Sequence, residues 1–214
     1  MRKEANWTST IDHRLEPLTT ILMALAALLT AWSSYQSTLW SSRNNALYAD
    51  AATAKREASR LDIRANQTFQ IDWSVFQAYQ KARLNGDAEI AEFYAPRLPP
   101  RLARPFREWE TLAPERNPQA PPHPFALPSY VIPDTVEAEK QMNRGLALDA
   151  QARDASRHSA RYTRTTVAFA LVLFFSGLAP RGSRRASRLL MLATAGAVLA
   201  AAGAQIATLP VAMS

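Results

Sequence analysis

The chain has no cysteine. Disulfides, thiolate metal sites and thiol nucleophiles are therefore excluded. Glycine is scarce, six in 214 residues, and neither a glycine-rich phosphate loop nor a Gly-x-Ser-x-Gly turn occurs. The three histidines, His13, His123 and His158, are scattered, with no metal-ligand spacing between them. Asp154 and His158 stand four apart on one helix face, a spacing that suits a local surface pair better than an acid–base dyad. These absences lead to the expectation of no catalytic residue, no cofactor and no bound metal. Two Asn-x-Thr matches, at Asn6 and Asn66, are too short to carry weight.

Charge is missing from three long runs. The first is Pro17–Ser42, the second Thr165–Pro180, and the third starts at Leu189 and continues to Ser214. About 20 apolar residues in a helix cross the hydrocarbon layer of a bilayer. The runs are read as three transmembrane helices, at 17–40, 162–180 and 189–209, with Arg164 extending the second into the interface by snorkelling. The first lacks a small-residue cleavage site and its helical pattern continues past Trp32, so it reads as an uncleaved anchor.

The formal charge of +7 is unevenly spread: residues 41–161 hold 17 Lys/Arg against 15 Asp/Glu. The excess lies beside the apolar runs, as at a membrane surface, and excludes a nucleic-acid-binding face. The short loop 181–188 carries Arg181, Arg184, Arg185 and Arg188 and no acid. By the positive-inside rule this loop and the segment 1–16 are cytoplasmic, while residues 41–161 and the tail 210–214 are extracytoplasmic. The stretch AWSSYQSTLWSS (Ala31–Ser42) ends the first run. With Tyr162 and Arg164, its Trp32, Tyr35 and Trp40 are read as the aromatic and basic belt where helices pass the headgroups. Ala193, Ala197 and Ala201, with Gly196, Ala200 and Ala204, make ridges suited to close packing, and Gln205 is a candidate interhelical amide.

No glycine or proline occurs between Pro17 and Gly86. Leu47, Ala51, Ala54, Ala58, Leu61 and Ala65 alternate at four and three residues, as do Leu148, Ala152, Ala155, Ser159 and Tyr162. The fold class expected is all-α, with the first two spans continuing into a long antiparallel helical hairpin seamed by alanine. Asn85-Gly86-Asp87 stops the outgoing helix, and Asp134 with Glu137 caps the returning one. Between them lies a tip, 86–133, with 11 of the 14 prolines. It has short helices near Asp87–Tyr94 and Pro105–Leu112, then an extended strap over Pro114–Pro133. Arg97, Arg101, Arg104, Arg107, Trp109, Phe125 and Tyr130 make the tip a candidate partner-binding surface.

TAWSSYQSTLW (Thr30–Trp40), GDAEIAEFY (Gly86–Tyr94), RPFREWE (Arg104–Glu110) and NPQAPPHPFALPSY (Asn117–Tyr130), with LFFSGL (Leu173–Leu178) and the closing ATLP (Ala207–Pro210), resemble a family of uncharacterised bacterial three-span inner-membrane proteins with an extracytoplasmic helical, proline-rich domain. The resemblance covers nearly the whole chain. It implies this membrane layout and brings no activity. The functional expectation is a non-enzymatic scaffolding or interaction protein whose partners are the lipid bilayer and a protein or second copy. A ligand sensor or accessory subunit of a larger complex is the alternative. A pore is disfavoured, since the spans carry no central acid.

Overall fold

A computed structural model describes residues 5–182 and 184–213, with side chains from Pro17 onward. The expectations for His13 and the Asn6 sequon lie outside the described side chains. Every regular element among the described residues is helical: α1 Ala5–Asn85, α2 Ala88–Tyr94, α3 Pro100–Thr111, α4 Pro133–Leu178 and α5 Arg185–Ala207, joined by single 3-10 turns at Ala95–Arg97, Pro124–Ala126 and Ala179–Arg181. The chain divides into two compact units, one made of Met1–Ala49 with Leu148–Ser214 and the other of Asp50–Ala147.

The boundaries follow from local chemistry, with three departures from expectation. α1 ends as expected. Gly86 takes φ 78°, its N–H bonds the Arg83 carbonyl, and the Asp87 N–H reaches back to the Ala82 carbonyl. That is a glycine C-cap satisfying two of the last free carbonyls. At its other end α1 does not start at Pro17. It begins at Ala5 and carries Pro17 inside, where the missing N–H costs the helix one backbone bond and the ring crowds the preceding turn. α3 begins at Pro100 rather than Pro105. Pro105 is interior and buried, and its ring fills the core while its missing N–H leaves the helix short of one bond. α4 starts one residue before Asp134, at Pro133. The Asp134 carboxylate accepts a two-pronged bond from Arg64 at 2.8 and 3.0 Å instead of capping the helix.

In the first unit, α1, α4 and α5 are each long and apolar enough to cross a membrane. Only 17%, 33% and 17% of their apolar windows are buried within the protein. Leu28 (69% exposed), Phe174 (59%) and Leu190 (69%) point outward. Leaving such side chains in water forgoes roughly 1.5–3 kcal/mol each, whereas a bilayer covers them. Three long apolar helices with lipid-like outer faces are the pattern of a multi-pass membrane protein. Their shared centre is dry: Ala26, Phe169, Val172 and Ala195 have no exposed surface.

One end of this unit is polar and close-packed. Ser37 and Ser159 each donate to the other's backbone carbonyl, at 3.2 and 3.0 Å, and their hydroxyls lie 3.1 Å apart. Only small side chains let two helix backbones approach so closely. Beyond α5 the chain folds back. Leu209 and Ala212 are buried against Trp40, Ala155 and Tyr162. The Pro210 carbonyl accepts from Trp40 Nε1 and Tyr162 Oη, both at 3.2 Å. Gln36 is 1% exposed, and its Oε1 accepts the Ala212 N–H at 2.8 Å. The segment after α5 is thus held through its backbone by three side chains.

In the second unit, Ala51, Ala54, Ala58, Leu61 and Ala65 are all buried. α4 lies close at Gly145, where an added Cβ would lie 3.2 Å from the Ala51 carbonyl oxygen and 2.8 Å from Lys55 Cγ. A mid-helix glycine costs about 0.5–1 kcal/mol against alanine, and this approach is what the position gains from it.

Replacing Gln36 with Leu leaves the buried Ala212 amide without an acceptor, a loss of about 1–3 kcal/mol. Hydrogen exchange at 209–212 is expected to rise sharply in Q36L while exchange in the middle of α5 changes little. Unchanged protection at 209–212 would contradict the assigned bond.

Candidate functional site

The polar groups of the second unit converge on one residue that the sequence reading passed over. Asp72 has no exposed surface. Its two carboxylate oxygens accept from Arg101 Nε and Nη2, both at 2.7 Å, and one of them also accepts the Tyr130 hydroxyl at 2.9 Å. Three sequence-distant pieces, α1, α3 and the proline-rich segment, therefore meet on a single buried charge. The bidentate fork supplies both electrostatic and geometric specificity. A second tie lies nearby, where the Ser129 hydroxyl donates to Glu108, which also accepts from Arg104 at 2.9 Å. That hydroxyl bond first, and Arg104 second, hold the Glu108 carboxyl below its ordinary range.

The apolar side of the same region is an aromatic cluster. Phe76, Leu98, Leu102, Phe106 and Trp109 are buried together. Phe125 enters it from the proline-rich segment, 5.3 Å from Phe69, 5.5 Å from Trp73 and Phe76 and 4.9 Å from Tyr130 between ring centres. Most of these are edge-to-face pairs, the favoured geometry for aromatic quadrupoles. Trp109 donates its indole N–H to the Pro121 carbonyl at 2.7 Å. Prolines cannot form a hydrogen-bonded ladder, so the order of this segment rests on aromatic packing and side-chain donors.

Beside the cluster opens a cavity of about 490 Å³ lined by Tyr79, Arg83, Trp109, Glu110 and residues 113–122. Arg83 bridges the Tyr79 hydroxyl at 3.0 Å, Glu115 at 2.9 Å and Glu110 at 3.4 Å. Burial pushes the Tyr79 phenol up, and hydrogen bonding to Tyr79 raises Arg83. The volume suits a small ligand, and Arg116 lines it beside the paired Arg83, Glu110 and Glu115. No cluster of three or more metal-ligating side chains occurs among the described residues.

Of the residues expected at a partner-binding tip, the structure gathers four inward: Arg101 and Tyr130 on Asp72, Trp109 and Phe125 on Phe76. Arg97, Arg104 and Arg107 are exposed. Arg97 lies 3.9 Å above the Phe93 ring and donates to the Phe93 carbonyl. Asp72 had a signal: it continues the seven-residue series Ala51, Ala58, Ala65, Asp72, Tyr79, which puts a carboxylate on the buried face.

The other singled-out residues lie in the first unit. Trp32 and Tyr35 are 41% and 52% exposed, with ring centres 6.3 Å apart. Trp40 and Tyr162 are buried, their polar atoms on Pro210. Arg164, Arg181, Arg184 and Arg185 are exposed, while Arg188 turns back to donate to the Gly182 carbonyl at 2.8 Å. Gln205 is exposed, and the buried amide of this unit is Gln36. Asp154 pairs with Arg157 rather than His158. His158 stacks on Trp40 at 4.6 Å, and burial, then Arg161 and Arg157, lowers its pKa.

Searches of family models, curated proteins and solved structures found no match to this chain.

Arg101→Met would strand the Asp72 carboxylate away from water, with an expected cost of about 3–5 kcal/mol. Asp72→Asn costs less, about 1–2 kcal/mol, because Arg101 is one-third exposed and can turn to solvent. Chemical denaturation of the full chain, read by tryptophan fluorescence, distinguishes the two, and equal losses would contradict this order. Tyr130 is pushed up by burial and by its bond to Asp72. An unfolded tyrosine ionises near pH 10. The folded phenol keeps its proton above that, so its contribution is complete below about pH 10 and declines as pH rises further. Tyr130→Phe is expected to flatten the alkaline fall in stability between about pH 10 and 11.5. An equally steep fall in the variant would remove Tyr130 as its cause.

Proposed function

We propose that the protein is a non-enzymatic scaffolding or interaction protein of a bacterial inner membrane, acting through its extramembrane helical part. In this reading α1 and α4 leave the bilayer as an antiparallel hairpin with the 86–133 segment at its far end. The arginine-rich loop 181–188 faces the cytoplasm and the hairpin faces the opposite compartment. Each basic–acidic pairing and the alanine seam serve to hold the hairpin, and none carries chemistry.

The supporting observation is the distribution of apolar surface in the second unit. Arg101 turns inward onto the buried Asp72, whereas Leu84 (85% exposed), Ile90 (48%), Phe93 (53%) and Val131 (50%) face outward beside the exposed Arg97, Arg104 and Arg107. Exposed apolar side chains mark protein contacts where they gather into a patch, and these four supply the apolar contact points of the proposed docking role. A protein partner or a second copy is the occupant proposed.

The cavity beside Arg83 supports a second reading, in which a small polar ligand binds there and the protein serves as a sensor or as an accessory subunit.

A photocrosslinking residue at Phe93, with Glu139 as a control position, separates these readings in cells. The docking role predicts a discrete adduct through Phe93, to another protein or to a second copy, and none through Glu139. No adduct at Phe93, together with a lone monomer in detergent, would sink it.

A further inference from the structure

Four arginines of α4, Arg153, Arg157, Arg161 and Arg164, are all exposed. At 100° per residue they fall within about 80° of one another, so they form a single stripe rising about 16 Å along the helix. Asp149 stands one turn from Arg153 and Asp154 one turn from Arg157 on the same helix, and Asp154 pairs with Arg157. Arg153, Arg161 and Arg164 have no carboxylate partner among the described residues. Like charges three or four apart weaken a helix, and the acids of this stretch stop at Asp154, leaving Arg161 and Arg164 without one on the side toward the apolar run. Burial lowers the pKa of the neighbouring His158, and the stripe adds to it, since Arg161 and Arg157 both oppose its protonation. Arg43, over the Trp40 ring at 5.6 Å, adds a fifth positive charge against the indole on which His158 stacks.

The lower end of the stripe identifies the counter-charge. Arg164 is followed at once by the uncharged run Thr165–Pro180, and α4 continues through the junction without a break. The headgroup layer on each side of a bilayer is about 5–7 Å deep. Arg164 and Arg161, about 4.5 Å apart in rise, fall inside it, while Arg157 and Arg153 stand just above and act across a Debye length of about 8 Å. All four are arginine and none is lysine, which suits forked, bidentate hydrogen bonding to phosphate.

We propose that the arginine stripe of α4 is a binding site for anionic phospholipid headgroups, with Arg161 and Arg164 as the direct ligands of the lipid phosphate and Arg157 and Arg153 as its electrostatic approach. This rests on the reading that 165–180 spans a bilayer and is independent of the docking role of the 86–133 segment. The stripe selects lipid by charge, so a zwitterionic headgroup, whose own cation cancels the phosphate, is held far less well.

The test uses the full chain in lipid nanodiscs of phosphatidylcholine with a minor fraction of photoreactive phosphatidylglycerol, the crosslinked peptides being mapped after illumination. Crosslinks are expected in the peptide spanning 157–168, falling roughly ten- to thirty-fold in R161Q/R164Q and staying unchanged in R184Q/R185Q. Photoreactive phosphatidylcholine in place of phosphatidylglycerol is expected to label this peptide only weakly. Equal labelling by the two lipids, or equal phosphatidylglycerol labelling in wild type and R161Q/R164Q, overturns the proposal. Failure of the chain to enter any nanodisc overturns the membrane reading beneath it, a different and separately visible result.

Discussion

Close approach between helices is the constraint on which both units depend. Alanine, glycine and serine along the inner faces of α1 and α4 leave little side chain between the backbones. Dispersion at the close approach of Gly145, and hydrogen bonds from Ser37 and Ser159, then replace the larger apolar burial of an ordinary core. A seam of this kind tolerates almost no increase in volume. It also gives little area to the hydrophobic effect, so stability has to be supplemented at discrete points. The structure provides two such points, and each is polar. In one unit Gln36, Trp40 and Tyr162 hold the chain after α5. In the other Arg101, Tyr130 and Asp72 hold the proline-rich segment.

The Asp72 site shows how a buried charge can specify an arrangement without contributing much net stability. Its desolvation is offset only when three ligating atoms from two other segments are in place. A misregistered α3 or a displaced proline-rich segment would leave a carboxylate in an apolar cluster, and that penalty discriminates strongly against such states. The aromatic rings around Phe125 supply the area, and the carboxylate supplies the register.

Much of this architecture could be read from the amino acids. The long unbroken α1, its stop at Gly86, the buried positions Ala51 to Ala65 and the three apolar helices all follow from periodicity and from where glycine, proline and charge are absent. What periodicity does not carry is the identity of a buried polar partner. Asp72 sits in register with the alanines, but its ligands lie 29 and 58 residues away. No local pattern links Arg101 and Tyr130 to it, and arginines on a proline-rich surface read more readily as a patch for another molecule. Trp40 and Tyr162 suit a headgroup belt on the same local grounds. An aromatic at the end of an apolar run normally meets headgroups, and only the return of Leu209–Ala212 covers these two from above. Asp134 illustrates competition between local and tertiary demands: its carboxylate suits a helix cap, and Arg64 offers it a charged partner instead.

The return of the chain after α5 also bears on biosynthesis. Gln36, Trp40 and Tyr162 are translated well before residues 209–212, and α5 must be made in between. Until then the slot they form is vacant, with an indole N–H, a phenol and an amide all seeking partners beside a pair of helices already in contact. Residues 209–212 therefore complete a joint whose other half is made earlier in synthesis. Any insertase or chaperone attending the nascent protein would encounter that half-built joint, rather than the finished helices, as its distinguishing surface.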